Sequence, residues 1–409
     1  MNQIGTCKYF RQEKQHTSVM ANVFQGAAFL LVFLMAMDFR TRVFYLSFMA
    51  FGLIVFNKLY GFSIPRAVLA PIILAVSLCL FSTETQGDLI QCIKQFMYPA
   101  SVLVGYNLTD SDSDKTVKKN ATLIILALAG GSFFHYLLNL LNNLNSTLRD
   151  TIDVWTKMVL SSTGQSLMAV MMTGTVVAIL FSSLRLIWKL MAVGVMLIIL
   201  YYNLILSGRT ILVLFAALIL INLIANWIIQ KNSSKLIRGI IVLLIITAVI
   251  YIVIRNNLFG IMDVFGKSNL HQRFFSKFGS AGLNEDGRMK YKIMYLKHLI
   301  DYPFGKEELR KAIGGYYAHD IILDTYSLAG VFASCSVIIM LVDTIIKCVK
   351  ICHCKLLSKN LKSVVLNVIF SVFLAFAMEP ILQGAPWLFA SFCVLYGTIT
   401  RLSEVQYMN

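Results

Sequence analysis

Charge is scarce in this chain. Only 14% of its 409 residues are Asp, Glu, Lys or Arg, where a soluble globular chain carries about 25%. Acidic residues are the scarcer sign, 20 against 36 Lys and Arg, which leaves a net +16. So few charges neither cover a soluble globule nor keep a disordered chain in solution. A soluble enzyme and a disordered tail protein are therefore excluded. The same composition excludes a disulfide-stapled secreted domain, while the eight cysteines, in or beside apolar runs, are uninformative about disulfides. No internal period of 20–50 residues stands out, so no solenoid is expected. What is abundant is apolar surface, 58% of the chain. At about 20 apolar residues per bilayer crossing, this furnishes about a dozen spans. The basic residues must then sit between spans, so the positive charge does not read as a nucleic-acid face.

Twelve apolar runs are candidates for spans: 20–37, 43–56, 67–81, 89–106, 121–141, 165–181, 186–206, 210–229, 237–254, 321–346, 364–378 and 386–399. The second and third are short, and the fourth carries Lys94. The expected fold is all-α, a polytopic integral membrane protein of about 12 transmembrane helices, with residues 1–409 forming a single transmembrane domain. Lys8, Arg11 and Lys14 before the first run resemble the charged region of a signal peptide. That run is too long, however, and ends at Asp38-Phe39-Arg40 rather than at a small-residue cleavage site. It reads as a retained first span.

Lys and Arg in short loops set orientation. With the N-terminus inside, the inside segments hold nineteen of them. The short outside loops hold five: Arg40, Arg42, Arg149, Lys157 and Arg209. Both termini are then cytoplasmic. One segment departs from the bias. Residues 255–320 form a long extracytoplasmic loop before the tenth span and carry eleven Lys and Arg. Loops beyond about 60 residues escape the positive-inside constraint, so orientation does not explain their charge. Cys348, Cys352, His353 and Cys354 crowd against lysines instead of forming the two spaced pairs of a zinc site. Reduced or lipid-modified thiols are expected there, with no metal and no cofactor.

The long loop carries a helix signal. Glu285 and Asp286 suit a helix start, Met289, Ile293, Leu296 and Ile300 recur at helical spacing, and Pro303 with Gly305 ends the pattern. Arg288, Lys292 and Tyr295 share another face. Such an amphipathic basic helix either lies on the membrane surface, against anionic lipid, or caps the bundle. A sharper reading is a diphosphate site, since a planar guanidinium donates two parallel hydrogen bonds to phosphate and stays charged. Arg209, Arg273 and Arg288 are its candidates. Arg209 stands out in the short outside turn Ser207-Gly208-Arg209, where bundle packing calls for no charge. His319, preceded by Tyr317 and followed by Asp320, sits at the outer mouth of the tenth span, where an imidazole suits a general base. Glu379, just beyond the eleventh span, reaches the same surface. His135, inside the fifth, reads as packing.

Three segments carry a resemblance. Ser207-Gly208-Arg209-Thr210 opens a span. Gly287-Arg288 leads through Tyr291 and Leu296 to Asp301-Tyr302-Pro303-Phe304-Gly305. Ala318-His319-Asp320 leads to Leu328-Ala329-Gly330. In order and sidedness these resemble the bacterial O-antigen ligase and O-antigen polymerase superfamily, with its short Ser/Thr-Arg turn, its Arg…Pro-Phe-Gly segment and its Ala-His-Asn…Gly segment. Asp320 stands where Asn is usual, and Gly305 lacks the following second glycine. The resemblance implies metal-independent glycosyl transfer on the outer face of a bacterial cytoplasmic membrane, building lipopolysaccharide or capsule. A polyprenyl-diphosphate-linked glycan is the donor, and an acceptor sugar hydroxyl attacks its anomeric carbon. By the same resemblance Arg209 and Arg288 bind the diphosphate and His319 activates the acceptor. Arg273, Lys292, Tyr317, Asp320 and Glu379 are further candidates. Expected partners are the lipid-linked oligosaccharide, membrane lipid and a chain-length regulator protein. A polymerase is the favoured expectation and a ligase joining glycan to a lipid A core is the alternative. A lipid-linked oligosaccharide flippase, which would carry charge deep in several spans, has Lys94 and Asp324 as its main candidates.

Overall fold

A bilayer's hydrocarbon core offers no water to backbone N–H and C=O groups, so apolar runs there fold as helices that satisfy those groups internally. The computed structural model describes residues 22–58, 61–83, 85, 87–144, 151–206, 209–230 and 287–405, without the side chains of residues 204, 209, 224–230 and 287–289. Its apolar helices follow the runs. They are α1 (Asn22–Ala36), α2 (Val43–Asn57), α3 (Leu69–Phe81), then α4 (Leu89–Gln95) and α5 (Met97–Thr109) in place of one run, and α6 (Asp114–Asn142). A two-stranded antiparallel ladder, β1 (Thr151–Ile152) with β2 (Val159–Leu160), leads into α7 (Ser162–Leu167) and α8 (Val170–Leu180). Then come α9 (Leu186–Ile205) and α10 (Arg209–Gln230), and after residue 286 α11 (Gly287–His298), α12 (Lys306–Ala312), α13 (Ile321–His353), α14 (Lys359–Met378), α15 (Ile381–Gly384) and α16 (Pro386–Glu404). Among the described residues α6, α9, α13 and α14 are long and apolar enough to cross a membrane. The run at 237–254, Arg273 and the rest of 231–286 lie outside the described residues.

Three runs are broken. The run over 89–106 divides because Pro99 has no N–H to donate to the Gln95 carbonyl. Its first part, α4, is capped by Asp88, which accepts from the N–H groups of Ile90 and Gln91 at 2.8 and 3.1 Å. The run over 165–181 is two helices, α7 and α8, parted at Met168–Ala169. In α13 the break is sharp. Ala329 and Gly330 leave helical geometry, with Gly330 at φ 75°. The Ser334 hydroxyl donates to the Ile322 carbonyl, twelve residues back, at 2.8 Å. A straight helix would hold such residues about 18 Å apart, so residues 321–328 fold back beside the start of the long segment 331–353. Asp324, a candidate for charge deep in a span, belongs to this folded-back piece.

The centre of the bundle is α16, buried along its length from Trp387 to Ser403. It packs against α5 at Gly105 and Gly397, where a Cβ on either glycine would strike a carbonyl oxygen of the facing helix, Val394 or Val102. Small residues at such a crossing let backbones close up where lipid supplies no hydrophobic drive between helices. At one end of the bundle Lys58 and Arg401 converge on Asp110 at 3.4 and 2.6 Å, and Tyr106 donates to Glu404 at 2.8 Å.

Candidate functional site

At the opposite end, four elements meet around Glu379. This residue closes α14, its N–H still bonded to the Ala375 carbonyl at 3.1 Å, and Pro380 stops the helix there. The Glu379 side chain is 2% exposed. One carboxylate oxygen accepts from the Thr210 hydroxyl of α10 at 3.3 Å, and the other lies 3.7 Å from His319 Nδ1. That separation is an ion-pair distance rather than a formed hydrogen bond. His319 directly precedes Asp320, which caps α13 by accepting from the Leu323 N–H at 2.8 Å. Lys292 of α11 completes the group. Its Nζ lies 3.2 Å from Asp320 Oδ2 and donates to the Ala377 carbonyl at 3.0 Å, one of the last carbonyls of α14.

The site is thus a buried carboxylate facing a partly exposed imidazole, with a second carboxylate and a lysine beside it. Thr210 follows Arg209 at the start of α10, and Arg288 stands one helical turn before Lys292 in α11. The backbone therefore brings the starting points of both expected diphosphate ligands to the elements that hold His319 and Glu379. Tyr317 goes elsewhere, its ring 4.1 Å from the guanidinium of Arg310. Thr210 entered the sequence argument only as part of a turn, and its hydroxyl is now a contact of the buried carboxylate.

The Pro-Phe-Gly and Ala-Gly segments explain each other. Pro303 accepts from the Val331 N–H at 2.9 Å, just past the break in α13. Gly305 and Gly330 both take left-handed backbone, φ 66° and 75°. A Cβ on Gly305 would strike the Tyr326 carbonyl, and one on Gly330 the backbone of Pro303 and Phe304. The loop is clamped in the break, and Phe304 stacks on Phe81 of α3 with centroids 4.9 Å apart. Tyr295 and Tyr326 add hydroxyl bonds to the carbonyls of Tyr316 and Leu299 at 2.8 and 2.6 Å. Burial pushes the Tyr295 phenol up to about 12, so it stays a donor. Tyr295, Leu309, Ile313, Ala318, Leu323 and Tyr326 close into a small core of their own, which holds Lys292 in place.

In α11 the buried face is the one carrying Lys292 and Tyr295. The stripe expected to be apolar faces outward, with Ile293 47%, Leu296 58% and Ile300 91% exposed. The helix therefore caps the bundle with one face and presents an apolar stripe with another. Asp324 is a support for the site rather than a deep charge. Fully buried, it accepts from the Leu382 N–H at 2.8 Å and pins the segment that follows Glu379.

His135 is not mere packing. Its Nε2 lies 2.9 Å from Asp153, which also accepts from Asn139 at 3.2 Å and from the N–H groups of Trp155 and Thr156 at 2.9 and 2.8 Å. Burial pulls the Asp153 carboxyl upward, but bonds from His135, Thr156 and Asn139 outweigh it and hold the group well below the ordinary range. Asp38, between α1 and α2, is pushed up to about 7, first by burial and then by the charge of Asp153. A folded-state pKa above the unfolded one means the unfolded chain gives up its proton first. Stability therefore falls as pH rises from the usual 3.8 to about 7 and is level beyond. Asp38→Asn is expected to raise the unfolding temperature in detergent at pH 8 by several degrees, with the gain gone below pH 4. Equal melting at pH 8 would remove the electrostatic account of Asp38.

Compared with models of known protein families and with curated proteins, the chain matches none.

Proposed function

We propose that the chain spans a bacterial cytoplasmic membrane twelve times, with both termini inside, and polymerises lipid-linked repeat units of an O-antigen or capsule polysaccharide on the outer face. The observation that carries this reading is the meeting of Thr210, Lys292, His319 and Glu379 at one end of the bundle. They come from the three segments that resemble the superfamily and from one more helix end. In the proposed reaction a sugar hydroxyl of the acceptor attacks the anomeric carbon of the donor glycan. The new C–O bond forms as the bond to the diphosphate breaks, and the diphosphate leaves with the electron pair. Arg209 and Arg288 neutralise the charge that develops on it, the larger expected contribution. The hydroxyl proton passes to His319. With Nδ1 turned to Glu379, Nε2 is the nitrogen left for the acceptor. Glu379 fixes the ring and stabilises the imidazolium, and the 3.7 Å separation shortens as that charge forms. No metal or cofactor enters this scheme.

Incubating the purified protein with polyprenyl-diphosphate-linked repeat units tests the reading. A ladder of glycans is expected. Intact transbilayer movement of the lipid with no product would make the protein a transporter, and transfer only onto lipid A core would make it a ligase. Within the polymerase reading, Arg288→Lys keeps the charge but loses the planar fork. Since hydrogen bonds to charged groups contribute about 1.5–3 kcal/mol each, transfer should fall by at least about tenfold. Polymer of normal length and yield from that variant would sink the bidentate role.

A further inference from the structure

A cavity of about 410 Å³ opens beside the site. Leu382 and Gln383, which line it, follow closely on Glu379, so the cavity and the His319 site share one short segment as a wall. Its other walls carry three cations, Arg40 and Arg42 from the turn before α2 and Lys94 from α4, with Gln91, Gln95 and Gln383 between them. Orientation calls for none of them, since the alternation of runs places Arg40 and Arg42 outside and Lys94 lies within the run over 89–106. Among the described residues no carboxylate pairs with them. Lys94 Nζ donates to Gln91 at 3.2 Å, and the guanidiniums of Arg40 and Arg42 lie 5.7 and 5.3 Å from the rings of Phe39 and Tyr45. The turn that presents the arginines is strained, with Asp38, Arg40 and Thr41 in left-handed backbone at φ 48°, 51° and 55°. Three cations that no described carboxylate neutralises, with three amides around a cavity of ligand size, fit a phosphate-bearing group.

We propose that this cavity is a second phosphate subsite, which holds the diphosphate of the lipid-linked acceptor. The assignment rests on the polymerase reading, in which two lipid-linked glycans meet, one as donor and one as acceptor. The donor diphosphate occupies the Arg209 and Arg288 side of the Leu382–Gln383 wall and the acceptor diphosphate the Arg40, Arg42 and Lys94 side. An acceptor held by its diphosphate offers a hydroxyl to His319 across that wall.

Equilibrium binding of a polyprenyl diphosphate to the full-length protein in nanodiscs tests this. Two equivalents are expected for the wild type and one for Arg40→Gln/Arg42→Gln/Lys94→Gln. One equivalent for both proteins overturns the subsite and leaves the polymerase reading standing. One for the wild type and none for the variant upholds the subsite but removes the donor site of that reading. A second measurement on the wild type alone avoids any failure of the variant to fold. Acylation of the Lys94 amine, read by mass spectrometry, should slow roughly tenfold with polyprenyl diphosphate at about ten times its dissociation constant. Inorganic pyrophosphate should protect more weakly, and phosphatidylglycerol should not protect. Protection by phosphatidylglycerol equal to that by polyprenyl diphosphate would make this an ordinary headgroup site, and protection by pyrophosphate alone a free-phosphate site. Either result overturns the proposal.

Discussion

On the proposed function, His319→Ala is expected to slow glycan transfer by about 10²–10⁴-fold, the range for losing a general base, while the protein melts as the wild type does. Part of the imidazole is open to solvent, with its side chain 27% exposed, so its removal leaves a small, partly wet space rather than a core void. The companion change Glu379→Gln separates chemistry from packing. Gln is nearly the shape of Glu, and its amide oxygen still accepts from Thr210. It removes only the charge that faces Nδ1. Losing the charge that stabilises the forming imidazolium is expected to lower the maximum rate while the melting temperature stays near that of the wild type. A Glu379→Gln variant with normal rate would leave Glu379 a structural carboxylate. Normal rates from His319→Ala would end its role as base.

Gly330→Ala is the second large effect, this time on folding. The residue sits at φ 75° and ψ −159°, a region essentially reserved for glycine that costs a side chain about 1–3 kcal/mol, and its new methyl strikes the backbone of Pro303 and Phe304. Backbone cannot rotate away as a side chain can, so overpacking adds about 1–3 kcal/mol. Together this is a large share of the 5–15 kcal/mol that holds a typical domain. Gly305→Ala, against the Tyr326 carbonyl, should behave alike. Gly52→Ala in α2 is the control, because open space surrounds that position and Ala is the better helix former. Unfolding in detergent, followed by circular dichroism, should show both clamp variants melting well below the wild type and Gly52→Ala at or slightly above it. A Gly330→Ala protein melting within a degree or two of wild type would mean that the loop is not locked in the break.

These glycines mark how far the sequence could be read. Apolar runs announce helices because the pattern is local, and most helices lie where their runs do. The break in α13 is hidden because Gly330 sits in an otherwise uninterrupted run, and the Pro303–Gly305 loop that fills it lies nearly thirty residues earlier. Pro99 was in plain view in the run over 89–106, but a proline in an apolar stretch can kink a span as readily as end one. The candidate site was legible as a set of residues and not as contacts. Nothing local says that Glu379 faces His319 or that Thr210 reaches across to it, since these meetings depend on how helix ends assemble. Asp153 carries no local signal of its role. It meets His135 through a hairpin that returns the chain to α6, and no spacing rule links the two. In α11 the period was correct, but burial went to the aromatic face because Tyr295 had a carbonyl to bond and a core to join.

The outward stripe of Ile293, Leu296 and Ile300 has a consequence for how such a site would be supplied. A helix that grips the bundle with Lys292 and Tyr295 and turns aliphatic side chains away from it is suited to float at the level of lipid headgroups. On the proposed function, a glycan carrier then keeps its tail in the leaflet throughout the reaction. Encounter becomes a two-dimensional search, and the quantity that sets the rate is the number of carriers per unit area of membrane, not their concentration in the surrounding volume.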